Sequence, residues 1–271
     1  MRSVLTIAGS DSSAGAGVQA DLKTFAALGV YGTSVITALT AQNTREVTAV
    51  HEAPADVVAA QIDAVVQDIR PDAVKTGMLS NTAIIEVVAL KLQQYALANV
   101  VVDPVMVSKS GARLLREDAV EALVAELFPL ADVVTPNIPE AEALLGRTLR
   151  TYLQMHEAAR DIHEMGPRNV VIKGGHREGE TVVDVLFDGR EIHEFSGPRI
   201  QTMSTHGTGC TFASAIAAQL AVGATVPEAV RLAREYVEGA LRNAYPIGHG
   251  QGPVNHFWTW EEEGKGKEGE G

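Results

Sequence analysis

Cysteine is nearly absent: Cys210 is the only one among 271 residues. That excludes an internal disulfide and a multi-cysteine zinc site, and it suits a reducing compartment. A basic cluster is also missing. Lys and Arg number 22 against 34 Asp and Glu, for a net charge of −12. The composition therefore speaks against nucleic acid and against an anionic membrane surface as partners. A polyanionic ligand would have to be held locally, by a helix N-terminus, a placed lysine or a metal. No apolar run is long enough to span a bilayer. The apolar stretch at Met1–Gly9 is too short for a signal peptide and lacks its cleavage pattern. A soluble cytoplasmic protein is the expectation. There is no internal repeat and no linker between two cores. The hydrophobic share of 46% is ordinary and supplies a sizeable core.

Short apolar runs alternate with amphipathic ones, which predicts a single α/β domain with a mainly parallel sheet. Strands are expected over 4–8, 31–41, 46–51, 73–78, 100–102, 132–135 and 169–173. Helices are expected over 18–28, 54–69, 82–95, 118–127, 155–164, 212–221 and 227–243, with a shorter one ending at Leu145. Asp21 falls in the first turn of the first helix. Asp188-Gly189 between apolar runs signals a hairpin, so antiparallel pieces are expected near 31–53 and 182–195. Val100-Val101-Val102 is apolar throughout, as in sheets covered on both faces. Polar motifs fall where strands end, at Ser10-Asp11, Gln42, Gly77-Met78, Asp103, Asn137 and Lys173. Ligands of open α/β sheets bind at that edge.

Thr205-His206-Gly207-Thr208-Gly209-Cys210-Thr211 opens a small-residue helix. Its glycines permit a tight turn, and free N–H groups at a helix start suit an anion such as phosphate. The same stretch also reads as a plain turn holding an inert, buried Cys210. Gly15-Ala16-Gly17-Val18-Gln19-Ala20 formally fits a dinucleotide fingerprint. Ser10 to Ala14 intervene after the strand, however, and the acidic residue expected about 20 positions on is missing. There is no Walker A motif. Asp103-Pro104 reads either as a carboxylate that helps hold Mg²⁺ or as a turn aspartate. Asn137-x-x-Glu140 in isolation reads first as an N-cap with a dipole-favoured Glu. Lys173, before Gly174-Gly175-His176, reads as a cation for a transferring phosphoryl group or as a solvated strand end. His176 and His206 are weak indications of metal, and Met78 is core filler by default.

Taken in order, Asp-Pro, Asn-x-x-Glu, Lys-Gly-Gly-His and Gly-Thr-Gly-Cys resemble the ribokinase-like superfamily. Within it, the stretches Ala8–Phe25, Thr37–Thr44, Lys75–Met78, Val102–Val107 and Thr205–Thr211 resemble the hydroxymethylpyrimidine/phosphomethylpyrimidine kinases of thiamine biosynthesis. The likeness runs to about Ala244. Local departures are Ala14 and Ser108-Lys109-Ser110. The resemblance implies a single ribokinase-like three-layer α/β domain over 1–260, with a mainly parallel central sheet, antiparallel edge pieces and helices on both faces. A charged tail, 261–271, is expected to be disordered.

The resemblance further implies ATP-dependent phosphorylation of 4-amino-5-hydroxymethyl-2-methylpyrimidine, first to the monophosphate and then to the diphosphate. Asp21 and Gln42 would hydrogen-bond the ring, and Gly9, Met78 and Val105 would line its pocket. Asp103 and Glu140 would organise Mg²⁺. Asn137, Thr205 and Thr208 would serve the nucleotide, and Lys173 the transferring group. The amides from Gly207 through Gly209 to Cys210 would form an anion hole. Cys210 stands where many superfamily members carry an aspartate base. A helix N-terminus lowers a thiol's pKa, so Cys210 is either a thiolate base or a hydrogen-bonding wall. A homodimer goes with the family. The rivals are a pyridoxal kinase of the same superfamily, an NAD-dependent oxidoreductase built on Gly15-x-Gly17, and a non-catalytic pyrimidine-binding protein.

Overall fold

The computed structural model describes residues 1–106, 115, 117–177 and 179–261. The sequence also predicts a loop over Val105–Arg113; most of it, with Ser108-Lys109-Ser110, and nearly all of the charged tail lie outside the described residues. Among the described residues, nine strands form one sheet: β1 (Ser3–Asp11), β2 (Tyr31–Gln42), β3 (Val47–Glu52), β4 (Ala73–Thr76), β5 (Val100–Val102), β6 (Val133–Val134), β7 (Val170–Ile172), β8 (Thr181–Phe187) and β9 (Ile192–Pro198). Their spatial order is β3-β2-β1-β4-β5-β6-β7-β8-β9. Strands β1, β2 and β4 to β7 run parallel. Antiparallel β3 closes one edge, and antiparallel β8 and β9 close the other.

Among the described residues, eight α-helices flank the sheet: α1 (Gly17–Ala27), α2 (Ala55–Asp68), α3 (Thr82–Gln94), α4 (Glu117–Ala122), α5 (Ile138–Leu145), α6 (Tyr152–His163), α7 (Thr208–Ala221) and α8 (Val226–Arg242). Two cores result. One lies between the sheet and α2 to α6, the other between the sheet and α1, α7 and α8. Side chains alternate across a strand, so Val100 and Val102 enter the first core and Val101 the second. Both faces of β5 are thus buried, which is why its sequence is apolar throughout. The same alternation has a sharper consequence in β1 and β4. Val4 and Ala73 belong to the second core, and two residues on, Thr6 and Lys75 follow them to that face.

The expected architecture is present, with local differences. The helix expected from Met155 starts at Tyr152, because Thr151 and Gln154 form a capping box ahead of it. The helix expected over 118–127 widens into a π turn over Leu123–Leu127. It then tightens to 3-10 geometry over Phe128–Leu130, which contains Pro129. Phe187 pairs with Ile192, so the hairpin loop has four residues, held by Asp188 Oδ1 accepting from the Arg190 and Glu191 amides. Strand β4 stops at Thr76, before Gly77-Met78. Helix α1 starts at Gly17, with no acidic residue in its first turn. Asp21 therefore sits deeper in the helix than the sequence suggests.

Candidate active site

Two neighbouring cavities open at the carboxyl edge of the parallel strands. The first, of about 400 Å³, is lined by Gly9, Gln42, Met78, Asp103, Val105, Glu140, Gly207 and Cys210 among others. The second, of about 260 Å³, has apolar walls of Val182, Pro198, Ile200, Phe212, Val237 and Leu241, with Asp184, Arg199, Thr205, Arg234 and Glu238 as polar members. Asn137, Lys173, His176, Thr208 and Gly209 line both. The site residues read from the sequence thus converge, with one exception: Asp21 lines neither cavity.

Lys173 follows β7 directly, and its Nζ donates to Asp103 Oδ1 at 2.7 Å across the end of β5. Thr135 donates to the same oxygen at 3.1 Å. Burial works against the Lys173 charge, but Asp103 and Glu140 outweigh it and raise its pKa. The carboxyl of Glu140 is held well above the usual carboxylate range by burial, with the Asp103 charge acting the same way. Asn137 and Glu140 form a reciprocal capping box at α5: Glu140 N donates to Asn137 Oδ1 at 2.9 Å, and Asn137 N donates to Glu140 Oε2 at 2.7 Å. The capping reading is therefore correct as geometry, and it also aims Glu140 into the first cavity. Two buried carboxylates are hard oxygen donors of the kind Mg²⁺ prefers, and that ion usually keeps waters and substrate phosphates as its other ligands. The raised proton affinity of Glu140 marks a place short of positive charge. The donor set fits Mg²⁺. Among the described residues no cluster of three or more metal-ligating side chains exists.

Helix α7 begins differently. Its N-cap is Gly207 at φ 79°, with no side-chain cap. A Cβ there would stand 1.8 Å from the Gly15 carbonyl oxygen, so glycine is required by both the dihedral and the contact. The first helical bond runs from Thr211 N to Gly207 O. Thr208 N turns back to Thr205 O at 3.3 Å, which leaves the Gly209 and Cys210 amides for an occupant of the cavity. Gly209 keeps the approach clear: a Cβ there would lie 3.4 Å from Lys173 Nζ and 3.8 Å from Asp103 Oδ2. His256 packs behind the helix, where its Nε2 meets Thr211 Oγ1 at 3.1 Å.

Cys210 lines the first cavity, but its thiol is not acidified. Burial pushes it up to about 11, and the Asp21 and Asp103 carboxylates push the same way. Lys75 and the Gly17 amide pull it down without prevailing. The expectation of a thiol lowered by the helix N-terminus is thus corrected: desolvation beside two carboxylates outweighs the dipole.

The placement of Asp21 is a second correction. Its carboxylate is fully buried and saturated. Lys75 Nζ lies 2.9 Å from both oxygens, Thr6 donates to Oδ2 at 2.6 Å and Ser214 to Oδ1 at 2.7 Å. Asp21 ties β1, β4, α1 and α7 together beneath the cavity. Sequence reasoning does not single out Lys75 as a site residue. A lone lysine inside Ala73–Thr76, otherwise apolar or small, is the available signal, since a buried charge needs a partner.

Asp11 and His206 also escape sequence reasoning as a pair. His206 Nε2 lies 2.7 Å from Asp11 Oδ2 and 3.2 Å from Gln42 Nε2. The imidazole rests on Gly15, where a Cβ would come within 2.2 Å of His206 Cδ2. At Gly17 (φ 59°) a Cβ would approach Gly9 O to 2.3 Å. Of the two glycines of the fingerprint-like stretch, Gly15 therefore serves packing against the α7 entry and Gly17 packing against the end of β1.

The family model described as Phosphomethylpyrimidine kinase matches residues 11–255 of this sequence. The chain belongs to the phosphomethylpyrimidine kinase family. The hydroxymethylpyrimidine/phosphomethylpyrimidine kinase of Bacillus subtilis is 50% identical over 254 residues, covering 93% of this chain and 94% of that protein. The thiamine biosynthesis bifunctional protein ThiED of Geobacter sulfurreducens is 55% identical over 260 residues. The match takes in 96% of this chain but only 53% of that protein, so the chain spans about half its length. Among solved structures, the ADP complex of Bacillus subtilis pyridoxal kinase superposes with a TM-score of 0.90 at 42% identity, covering 96% of this chain and 99% of that one. The phosphomethylpyrimidine kinase reading is favoured over the pyridoxal rival, since relatives at 50% and 55% identity carry thiamine-biosynthesis names.

Proposed function

We propose that this member of the family transfers the γ-phosphoryl group of ATP to the hydroxymethyl oxygen of 4-amino-5-hydroxymethyl-2-methylpyrimidine, and then phosphorylates the monophosphate to the diphosphate. The observation that carries this reading is the shared wall between the two cavities. The pyrimidine alcohol occupies the first, with Gln42 on its polar edge and Gly9, Met78 and Val105 around the ring. ATP occupies the second, its base between the apolar walls and its phosphates towards Asn137, Thr205 and Thr208. Lys173 and the open start of α7 lie between them, where negative charge develops.

Asn137 Oδ1 is spent on capping α5, so its amide N–H groups serve the phosphates. Asp103 and Glu140 would hold Mg²⁺, which would supply charge neutralisation for the donor's phosphate oxygens. The Gly207, Gly209 and Cys210 backbone forms the anion hole. Cys210, protonated at neutral pH, acts as a hydrogen-bonding wall for the hydroxymethyl group rather than as a thiolate. Asp21 holds the floor together from below rather than touching the ring. A cytoplasmic homodimer is the setting that goes with this reading; light scattering checks the dimer.

The decisive experiment measures ADP release with the pyrimidine alcohol and with pyridoxal in parallel, and follows mono- and diphosphate products separately. Faster turnover of the aminopyrimidine, with both products formed in succession, is expected. A preference for pyridoxal sinks the proposal.

A further inference from the structure

The two ends of a glutamine amide look alike to all but their hydrogen-bond partners, so neighbours decide which end is which. For Gln42 the neighbours are unusually explicit. One end stands 3.2 Å from His206 Nε2 and the other 3.1 Å from Thr40 Oγ1. His206 Nε2 also lies 2.7 Å from Asp11 Oδ2. Asp11 is a carboxylate. Burial opposes its charge, but bonds from His206 and Ser13 hold its carboxyl below the usual range. Gly15 N and Ala16 N donate to the same Oδ2 at 3.1 and 2.8 Å, and Ser13 donates to Oδ1 through both N–H and O–H at 2.8 Å. An oxygen that only accepts requires the hydrogen on His206 Nε2.

That nitrogen then has no lone pair for an amide N–H. With the Gln42 nitrogen towards His206, two donors would oppose each other at 3.2 Å. The far end requires the same orientation independently. Thr40 Oγ1 has one hydrogen and stands 3.0 Å from the Ser10 carbonyl oxygen. With the Gln42 oxygen towards Thr40, that single hydrogen would be needed twice.

We propose that the Asp11–His206 pair fixes the Gln42 amide with its oxygen towards His206 and its nitrogen towards Thr40, and thereby sets the donor–acceptor order that the substrate ring meets. His206 Nε2–H is then shared between Asp11 and Gln42 Oε1. Thr40 accepts from Gln42 and donates to Ser10. Every group has a partner. One lone pair on the Gln42 oxygen and one N–H on its nitrogen remain, on a residue that lines the first cavity. The acceptor lies at the His206 end and the donor at the Thr40 end. A ring edge with an amino donor beside a nitrogen acceptor pairs with this amide in one orientation only. His206 is a positioning residue, acting through Gln42. Its ring is seated on Gly15, and its backbone is tied by His206 N donating to Gly252 O at 2.9 Å.

The inference rests on the aminopyrimidine reading for its substrate, but not for its hydrogen-bond logic, and the test separates the two. Side-chain ¹⁵N spectra of the full chain without ligand, with the His206 signals identified by their loss in H206Q, are expected to show hydrogen on Nε2. A bare Nε2 overturns the proposal whatever the substrate proves to be. Calorimetry then compares binding of the pyrimidine alcohol to wild type, H206Q and H206L, with ATP as the control ligand. H206L is expected to weaken the alcohol about tenfold, the scale of one lost hydrogen bond. H206Q, whose amide N–H replaces Nε2–H, is expected to stay within about threefold of wild type, with ATP binding little changed in both. Equal weakening by the two variants overturns the proposal. Failure of the wild type to bind the alcohol, with hydrogen on Nε2, overturns the substrate assignment and leaves the amide orientation standing.

Discussion

Two buried lysine–aspartate pairs sit against one sheet and do different work. Lys75 and Asp21 have side chains with 0% exposure each, and Asp21 accepts from Lys75, Thr6 and Ser214 on both oxygens. Lys173 and Asp103 are 14% and 2% exposed. There, the described partners all bond Asp103 Oδ1, while Oδ2 lies near the clear space over Gly209. Residue types, burial and pairing are the same in both. What differs is whether bonding capacity is left over. A saturated carboxylate can only hold elements together, even though its Lys75 partner reaches the wall of the first cavity, whereas an unsaturated carboxylate at a cavity wall can meet a metal. The two helix starts repeat the lesson: α5 is sealed by its capping box, and α7 is open at Gly207.

The widest separation between the pairs is expected in turnover. Lys173→Ala removes the cation on the wall between the cavities and should lower kcat by about 10³-fold, the scale of losing one preorganised charge partner in a transition state. Steady-state kinetics with saturating ATP and pyrimidine alcohol read this out. A loss of less than about tenfold would mean that Lys173 only neutralises Asp103.

Lys75→Met should act on the fold instead. It strands the Asp21 carboxylate among buried groups, and breaking a buried pair from one side costs about 3–5 kcal/mol. Urea unfolding of Lys75→Met, of Asp21→Asn and of the double variant measures the effect. The double variant should recover much of the loss, since no uncompensated charge remains. Full stability of Lys75→Met with abolished turnover would erase the distinction between the two pairs.

This distinction is only half legible in the sequence. Short apolar runs suffice for the parallel sheet and for placing Asp103, Asn137 and Lys173 at strand ends, but it is the family resemblance that lifts those three above a turn aspartate, an N-cap and a solvated strand end. The start of α7 is legible in the same way. Asp21 misleads because its motif sits beside the cavity while its helix turns the carboxylate inward. Only the contact with Lys75, 54 residues away, shows this. Asp11 and His206 are 195 residues apart, and nothing local marks their pairing. The thiol of Cys210 reads with the wrong sign because a helix N-terminus is visible in a sequence and desolvation is not.

Cys210 lies between the two regions, on the open helix start but under the influence of both aspartates. Its thiol, pushed up to about 11 by burial, is protonated throughout the neutral range. Cys210→Ala should therefore cost only about tenfold in kcat, as one hydrogen bond is worth, and leave KM for ATP in place. Wild type and Cys210→Ala should share one pH profile between about pH 6.5 and 8.5, well below this thiol's range, since any change from Glu140, whose carboxyl is raised to about 7, is common to both. A rate climbing tenfold per pH unit in the wild type, and lost in Cys210→Ala, would assign the thiolate as base and join Cys210 to the open pair.

The closed region should show its own proton dependence, in stability rather than rate. His256 backs α7 through Thr211, and its main-chain oxygen accepts from the Tyr236 hydroxyl at 2.6 Å. Burial pushes its pKa down to about 3, with the Lys23 charge adding to the effect. The folded chain therefore keeps His256 neutral where the unfolded chain, with an ordinary value of about 6.5, takes up a proton. Stability from this group is intact above pH 6.5 and is lost progressively as pH falls from there towards 3. Between pH 7 and 5.5 the loss amounts to about 1 kcal/mol from His256 alone. Urea unfolding at the two pH values, in wild type and in His256→Gln, measures it by difference, since every other titrating group is common to both proteins. The variant should be less stable at pH 7, because Thr211 loses its partner, yet shallower in its pH slope by that amount. Parallel slopes in the two proteins would mean that His256 titrates freely in the folded state, and that the polar layer behind α7 is open to water.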